Sequence, residues 1–351
     1  MKSRVFPLLF IVLVTSLLLS ACGAPQAVAW PGISSSQDTA FVAYSGQVFA
    51  VRSSDGTLLW KYPEQAVGAG MYAAPAVSDD MLVVGDYGNK LHAVNPKTGM
   101  GLWEFSEARA RYIASPLILG QMVYAPCADG YLYALNNQGS LKWKFQADQA
   151  LWSQPVTDGK TIYQGSLGHK VFAIDAESGN LIWSADLGGA LVSTPYLDDQ
   201  GVLYAGTLGG EVLAIESTTG KIMWKAAVDS GVWSSPVLKD GTLFLSNADG
   251  MAYALSTADG SLVWKTDIGG PVTGSGALTS DGVVFSTEKG DVVMLGFDKG
   301  EKVWTYTSEL QLYGSPANIQ DRILVGITHS DKLLIAFDYS GKELWSFALP
   351  K

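Results

Sequence analysis

The chain has 351 residues, and nearly half of them are hydrophobic, 39 are glycine and 11 are tryptophan, which is the composition of a globular protein. Its formal net charge is −10, and no basic cluster or stripe interrupts the acidic balance, which argues against nucleic acid as a partner and against electrostatic docking on anionic lipid. Many glycines and aromatic residues without a long helical pattern predict short strands joined by tight turns.

The first residues have the pattern of a targeting segment. Lys2 and Arg4 are followed by an apolar run from Val5 to Leu19, which is too short for a confident membrane-spanning helix. The run ends in the sequence LSACG at residues 19–23, which resembles the lipobox of bacterial lipoproteins.

The lipobox resemblance implies that residues 1–21 are a signal peptide, that Cys22 is lipidated, and that residues 22–28 are a tether. Several acyl chains hold a protein on a membrane far longer than one does. We therefore expect a membrane-anchored protein of the cell envelope. Gly23 is compatible with sorting to an outer membrane, facing the periplasm, where the organism has one; otherwise we expect the outer side of the cytoplasmic membrane.

Removal of the leader would leave 21 basic and 33 acidic side chains, a net charge of −12. It would also leave Cys127 as the one thiol besides the lipidated Cys22. In an oxidising compartment a single unpaired cysteine means that disulfides do not hold the fold together. Cys127 is predicted to be a partly buried small residue.

Eight tryptophans recur along the chain at intervals of 40 to 43 residues. Each has a glycine four residues before it, and seven of the eight have an alanine nine or ten residues before them; the seventh unit has Met294 there instead. We predict that the alanine ends one strand and leaves room for a flat indole, that the glycine closes a hairpin with positive φ, and that the tryptophan opens the next strand. These structural docking residues are Trp60, Trp103, Trp143, Trp183, Trp224, Trp264, Trp304 and Trp345.

A third marker, usually proline, stands 27 to 29 residues before each of these tryptophans, and another apolar strand lies between it and the alanine. Each unit therefore contains four short strands, A to D, over about 40 residues, and radial repetition of such units is the signature of a propeller. The predicted fold is all-β, an eight-bladed β-propeller of four-stranded blades over residues 29–351.

The segments Ala173–Trp183, with the sequence AIDAESGNLIW, and Ala214–Trp224 resemble the tryptophan-docking repeat of the pyrroloquinoline-quinone-type propellers. The resemblance extends over residues 29–351. This family contains quinoprotein dehydrogenases and non-catalytic propellers. In overall plan the chain is similar to the non-catalytic branch, which includes the propeller lipoprotein of the outer-membrane barrel-assembly machinery.

The dehydrogenase branch implies a quinone beneath a disulfide between two adjacent cysteines, and a Ca²⁺ bound by acidic and amide side chains. The chain has no adjacent cysteines and lacks the long insertions of those enzymes. Asn247 and Asp249 are candidate ligands, but an Asp-Gly turn accounts for Asp249. We therefore predict no catalytic residue, no cofactor and no bound metal.

The three histidines, His92, His169 and His329, lie in different units without metal-ligand spacing. His92 occupies a strand position where other units have phenylalanine or tyrosine. His169 and His329 are predicted to lie in solvated turns.

In propellers the D–A and B–C connections share one face around the channel, and partners usually bind there. Aromatic residues stand three or four positions before several of the proline markers, and two arginines form the densest basic feature after the leader. Both residue types are favoured at binding hot spots. The predicted partner-binding residues are Tyr72, Arg109, Arg111, Tyr112, Trp152, Trp233 and Tyr313. The alternatives are that the aromatic residues fill the inner ring as core and that the arginines lie in a solvated loop.

Three function classes stay open. The first is a non-catalytic scaffold for other envelope proteins, monomeric outside its complex and joined to the membrane through Cys22. The second is a binder of a small molecule or glycan in the channel mouth, and the third is a quinone-dependent dehydrogenase. A flat aromatic rim favours the first class, and a deep pocket with converging polar groups favours the second.

We expect Cys22→Ser to release the protein from the membrane fraction or to leave it unprocessed, because the acylated thiol is lost. Fractionation and mass spectrometry of the first mature residue test this. Wild-type protein that is soluble and carries no acyl mass would contradict it.

Overall fold

The computed structural model describes residues 32–328 and 330–350. The leader, Cys22, the predicted tether and His329 lie outside the described residues. Within the described part the chain forms strands and turns and contains no helix, and so none with the length and hydropathy of a membrane span.

The described residues form 32 strands in eight antiparallel sheets, and each sheet consists of four consecutive strands in the order A, B, C, D. The predicted eight-bladed propeller is confirmed. The blades are β1–β4 (Gly32–Ser36, Thr39–Tyr44, Gln47–Arg52, Leu58–Tyr62), β5–β8 (Ala76–Val77, Leu82–Gly85, Leu91–Val94, Gly101–Phe105), β9–β12 (Leu117–Leu119, Met122–Pro126, Tyr131–Asn136, Leu141–Gln146), β13–β16 (Val156–Thr157, Thr161–Gly165, Lys170–Asp175, Leu181–Asp186), β17–β20 (Tyr196–Leu197, Val202–Gly206, Glu211–Glu216, Ile222–Ala227), β21–β24 (Val237–Lys239, Thr242–Ser246, Met251–Ser256, Leu262–Asp267), β25–β28 (Ala277–Leu278, Gly282–Ser286, Asp291–Gly296, Lys302–Thr307) and β29–β32 (Ala317–Ile319, Arg322–Gly326, Lys332–Phe337, Glu343–Ala348).

Strand A is the innermost strand of each blade. The A strands of neighbouring blades contact one another at several junctions, among them those of blades 1 and 2 and of blades 1 and 8. In three successive blades, 5 to 7, a main-chain N–H just before strand A donates to a serine hydroxyl of the next blade. These bonds run from Thr194 to Ser235 (2.9 Å), from Ser235 to Ser275 (2.8 Å) and from Ser275 to Ser315 (2.8 Å). They hold the inner ends of blades 5 to 8 together.

The hydrophobic core lies between the blades. Strands B and C are almost wholly buried, and their apolar side chains meet those of the adjacent blade in separate clusters. Between blades 4 and 5, for example, Tyr163 and Val171 share a cluster with Leu203 and Leu213. Burial of this apolar area between every pair of blades is the main favourable contribution to stability.

Each repeat tryptophan lies directly opposite its marker residue in the pairing of strands C and D, as in Ala173 with Trp183, Ala214 with Trp224 and, in blade 7, Met294 with Trp304. In these two blades the alanine lies two residues before the end of strand C and the tryptophan is the third residue of strand D. The prediction that the alanine ends its strand and the tryptophan opens the next was wrong by these few residues, because both strands extend further toward the turn that joins them.

The indole of each repeat tryptophan extends to the following blade and donates its N–H to a main-chain carbonyl in that blade's C–D turn. The Trp183 indole, for example, donates to the Ser217 carbonyl at 2.9 Å. All eight tryptophans make such a bond, with donor–acceptor distances of 2.7 to 3.2 Å. Most of the indoles are half-buried. The contact therefore fixes the position of the next blade in addition to burying apolar area.

The hairpin glycine has positive φ in all eight blades, as predicted. It also has a second role: it is the surface on which the indole of the preceding blade lies. A Cβ placed on Gly220 would stand 2.6 Å from Cε3 of Trp183, and the same close approach recurs in all eight blades. The flat packing predicted against the alanine of the same blade is therefore only part of the contact, because the glycine of the following blade also needs to be small.

Blade 8 closes the ring onto blade 1 through the same contact. Trp345 donates to the Ser53 carbonyl at 3.0 Å, and its ring lies against Gly56. Apolar residues of both blades, among them Phe49 and Phe347, pack beneath this contact. Each sheet consists of four consecutive strands, so no strand from one end of the chain completes a blade at the other end. Blades 1 and 8 are therefore joined by side-chain contacts and not by a shared sheet.

We expect Gly220→Ala to lower the free energy of unfolding by about 1–3 kcal/mol more than Gly159→Ala does, because overpacking adds to the backbone cost. Both glycines have positive φ, but a Cβ on Gly159 would meet no atom within 4 Å. Chemical denaturation of the two variants measures the difference, and equal losses would contradict the docking role of Gly220.

Candidate partner-binding face

The D–A connections and the B–C turns lie together on one face of the ring, which we call the upper face. In blades 2 to 8 a main-chain N–H of the B–C turn donates to a carbonyl of a D–A connection, which makes seven such bonds. The pairs are Tyr87 with Gly70, Ala128 with Arg111, Leu167 with Ala150, Leu208 with Ala190, Ala248 with Gly231, Glu288 with Pro271 and Thr328 with Gln311, at 2.9 to 3.3 Å. These bonds give the upper face a fixed main-chain frame on which side chains vary.

The predicted site residues are distributed around this face. Tyr72 lies at the junction of blades 1 and 2, Trp152 at that of blades 3 and 4, Trp233 at that of blades 5 and 6, and Tyr313 at that of blades 7 and 8, and all four are half-buried. The connection between blades 2 and 3 carries the two arginines, both exposed, and Tyr112.

The structure brings two of the predicted residues together through a third that the sequence analysis did not select. The rings of Tyr72 and Tyr87 meet edge to face with their centroids 4.8 Å apart. The Arg111 guanidinium lies over the Tyr87 ring, 5.1 Å from its centroid. Burial raises the pKa of Tyr87, and the positive charge of Arg111 opposes that rise. We call these three residues the Tyr–Tyr–Arg cluster.

Tyr87 is the second residue of the B–C turn in blade 2. At the same position other blades carry Ala128, Leu167, Leu208 and Ala248. Alignment of the repeats by their turns would have singled out the tyrosine, but spacing from the tryptophan and proline markers does not.

A buried polar pair supports the turn that carries Tyr87. Asp86 and His92 are almost wholly buried, and the His92 Nε2 atom lies 3.0 Å from Asp86 Oδ2. The other carboxylate oxygen of Asp86 accepts the Lys90 main-chain N–H at 2.7 Å. His92 lies in strand C of blade 2, where it was predicted, and in addition fixes the carboxylate that shapes the turn.

Tyr112 does not belong to the exposed surface. Its side chain is fully buried, at the position that Leu151 and Leu191 occupy in the following blades, and it packs in the cluster between blades 2 and 3. It stands four residues before its proline, one position away from the aromatic residues at other junctions, and so faces the core. Burial raises the pKa of Tyr112, and its hydroxyl has no hydrogen-bond partner. Tyr112 is therefore a core residue, which was the stated alternative to a partner-binding role.

Cys127 and Asn247, the residues that bear on a quinone or calcium site, both make structural contacts. Cys127 is buried, its thiol donates to the Ala110 carbonyl at 3.1 Å, and burial raises its pKa to about 12. Asn247 is buried, and its amide oxygen accepts the main-chain N–H groups of Asp249 and Met251, which makes it part of a turn. In the described part of the chain, no three His, Cys, Asp or Glu side chains form a group that could hold a metal ion.

Comparison with known proteins gives a family model, described as outer membrane protein assembly factor BamB, that matches residues 25–150, 129–203, 197–278 and 248–350. The protein of that name from Legionella pneumophila is 28% identical over 130 residues, which are 36% of this chain and 33% of the relative. A quinoprotein ethanol dehydrogenase from Pseudomonas putida is 31% identical over 88 residues, 24% of this chain and 14% of the enzyme.

The crystal structure of BamB from Moraxella catarrhalis superimposes with a TM-score of 0.74 at 19% identity, over 84% of this chain and 92% of that one. This likeness confirms the fold. In sequence, the matched region spans about a third of the Legionella relative.

We expect Tyr112→Phe to raise the free energy of unfolding by about 1 kcal/mol, because it removes a buried hydroxyl that has no partner and keeps the ring. Tyr124→Phe is the matched control, since the buried Tyr124 hydroxyl donates to the Ala176 carbonyl at 2.9 Å and its loss should destabilise. Denaturant titration compares the two. A loss of stability in Tyr112→Phe would contradict the placement of that hydroxyl.

Proposed function

The chain belongs to the family of outer membrane protein assembly factor BamB, and from that premise we propose that it is a non-catalytic scaffold that holds other envelope proteins against its upper face. The observation that carries the proposal is the Tyr–Tyr–Arg cluster, an aromatic and guanidinium surface on a rigid main-chain frame. Buried or half-buried aromatic anchors beside arginine are typical of binding hot spots.

The site chemistry supports a binding role. The thiol of Cys127 is buried with a high pKa, and the amide of Asn247 serves a turn. The aromatic residues at the other junctions, Trp152, Trp233 and Tyr313, extend the same kind of surface around the ring. Because they lie on the upper face at alternate junctions, a partner that covers the channel mouth could contact several of them at once.

The path of the chain suggests how the upper face would be oriented. A Cβ on Gly32, the first residue of strand A in blade 1, would stand 2.6 Å from the Tyr72 carbonyl oxygen, so the chain enters this blade at the upper face. Cys22 precedes Gly32 by ten residues, and an extended chain of that length reaches at most about 35 Å. A lipid on Cys22 would therefore keep the upper face close to the membrane, where client proteins are embedded or docked.

We expect the triple change Trp152→Ala, Trp233→Ala and Arg111→Ala to weaken capture of envelope proteins in a crosslinking pull-down from the native host. The melting temperature should change little, because half-buried rim residues contribute little to the core. The matched control replaces Lys97, Lys221 and Lys299, three exposed lysines in C–D turns on the opposite face, by alanine. It should capture partners as the wild type does.

Trp183→Ala should do the reverse and cost about 3–5 kcal/mol of stability, because it leaves a cavity between two blades. Two results would contradict the scaffold proposal: unchanged capture by the triple variant, or a wild-type protein that captures no envelope protein. A stability loss in the triple variant as large as that of Trp183→Ala would mean that Trp152 and Trp233 are core residues.

A further inference from the structure

The connection between blades 2 and 3 carries two exposed arginines whose charges are not neutralised within the described residues. Neither Arg109 nor Arg111 takes part in an ion pair of the described chain, whereas Arg52 pairs with Asp55 at 3.1 Å. The chain as a whole has a net charge of −10, so two neighbouring unpaired positive charges are unusual in it.

The carboxylate of Asp129, which is hydrogen-bonded to this connection, has its hydrogen-bond partners in the main chain and in Tyr133. Asp129 accepts the main-chain N–H of Arg109 at 2.9 Å, the N–H of Tyr131 at 3.1 Å and the hydroxyl of Tyr133 at 2.8 Å. These three bonds use both of its oxygens to hold the turn. Asp129 therefore fixes the backbone beneath the arginines and leaves their side chains available.

The backbone of residues 109–112 is hydrogen-bonded at each residue, while the arginine side chains are exposed. The Ala110 carbonyl accepts the Cys127 thiol, and the Arg111 carbonyl accepts the Ala128 N–H. Burial alternates along the segment: Ala108 and Tyr112 are buried, and both arginines are exposed. A segment held in this way loses less conformational entropy when a partner binds.

The aromatic residues orient one of the two guanidinium groups. The Arg111 guanidinium lies over the Tyr87 ring, and the Tyr72 ring meets Tyr87 edge to face. The ring holds the guanidinium without using its N–H donors, which can bind a carboxylate in the two-pronged geometry that arginine favours. The rings beside it offer an apolar surface.

We propose that the sector formed by Arg109, Arg111, Tyr87 and Tyr72 binds an extended acidic segment of a partner protein, with carboxylates at two alternate positions and an apolar residue beside them. In an extended chain, alternate side chains point to the same side and so match two arginines separated by one residue. An anionic membrane surface is the less favoured occupant, because it is extended and would face the acidic remainder of this chain, of net charge −10, whereas a short acidic segment meets only the two arginines. The inference rests on the proposed scaffold function and specifies the chemistry of the partner.

The test uses a fluorescent blocked peptide, Gly-Glu-Val-Glu-Phe-Gly, and its twin with glutamine in place of both glutamates, titrated with the whole chain and followed by anisotropy. We expect the acidic peptide to bind at least about tenfold more tightly than its twin, because two charge-assisted bonds are lost in the twin. The Arg109→Gln and Arg111→Gln double variant should lose the same factor. Added salt should weaken binding of the acidic peptide.

The matched control is Lys97→Gln with Lys221→Gln, which removes the same charge from the opposite face and should leave binding unchanged. Unaltered melting temperatures verify that both double variants are folded. Equal binding of the two peptides, no binding of either, or an unaffected arginine variant would overturn the proposal. Arginine-dependent binding to phosphatidylglycerol vesicles without peptide binding would overturn it in favour of a lipid.

The pull-down separates this inference from the scaffold function. If the arginine double variant captures the same envelope proteins as the wild type while the Trp152, Trp233 and Arg111 triple variant does not, the acidic segment is wrong and the scaffold stands. If the wild type captures no envelope protein, the scaffold proposal fails whatever the peptides do.

Discussion

The indole of each repeat tryptophan lies on a glycine of the next blade and hydrogen-bonds that blade's turn, and this contact governs most of the architecture. It requires a residue without a side chain at the hairpin, as in Gly220 beneath Trp183, and it sets the distance and angle at which neighbouring blades meet. Because apolar strands B and C are buried only between blades, no blade completes its core alone. Stability is therefore shared around the ring, and a defect in one docking contact weakens two blades.

A frame built in this way leaves the side chains of the upper face free to differ from blade to blade. Main-chain hydrogen bonds join the B–C turns to the D–A connections at seven junctions. The exposed side chains there therefore contribute little to the stability of the fold. The Tyr–Tyr–Arg cluster uses this freedom: Tyr87 and Arg111 replace smaller or apolar residues of other blades without altering the frame beneath them. Binding surfaces on loops that a rigid scaffold positions are common for this reason.

Sequence reasoning reached the blade count and the strand order because tryptophan, glycine and proline recur at fixed spacing, and each has a physical role that spacing reveals. It did not reach contacts between repeats. The glycine was understood as a turn residue, but its contact with the indole belongs to the preceding blade. Tyr87 was missed for the same reason, since it joins Tyr72 and Arg111 across two junctions. Tyr112 was assigned to the surface because a shift of one position reverses the direction of a side chain.

The closing contact differs from the other seven in one respect, the length of chain it spans. Seven indole bonds join residues 33 to 36 positions apart, whereas Trp345 and Ser53 are 292 positions apart. As a ribosome makes the chain, each of the first seven contacts can form as soon as the next hairpin emerges. The contact of Trp345 with Ser53 and Gly56 cannot form until blade 8 has been made. During that interval the apolar side of blade 1 is exposed to solvent, chaperones and other nascent chains.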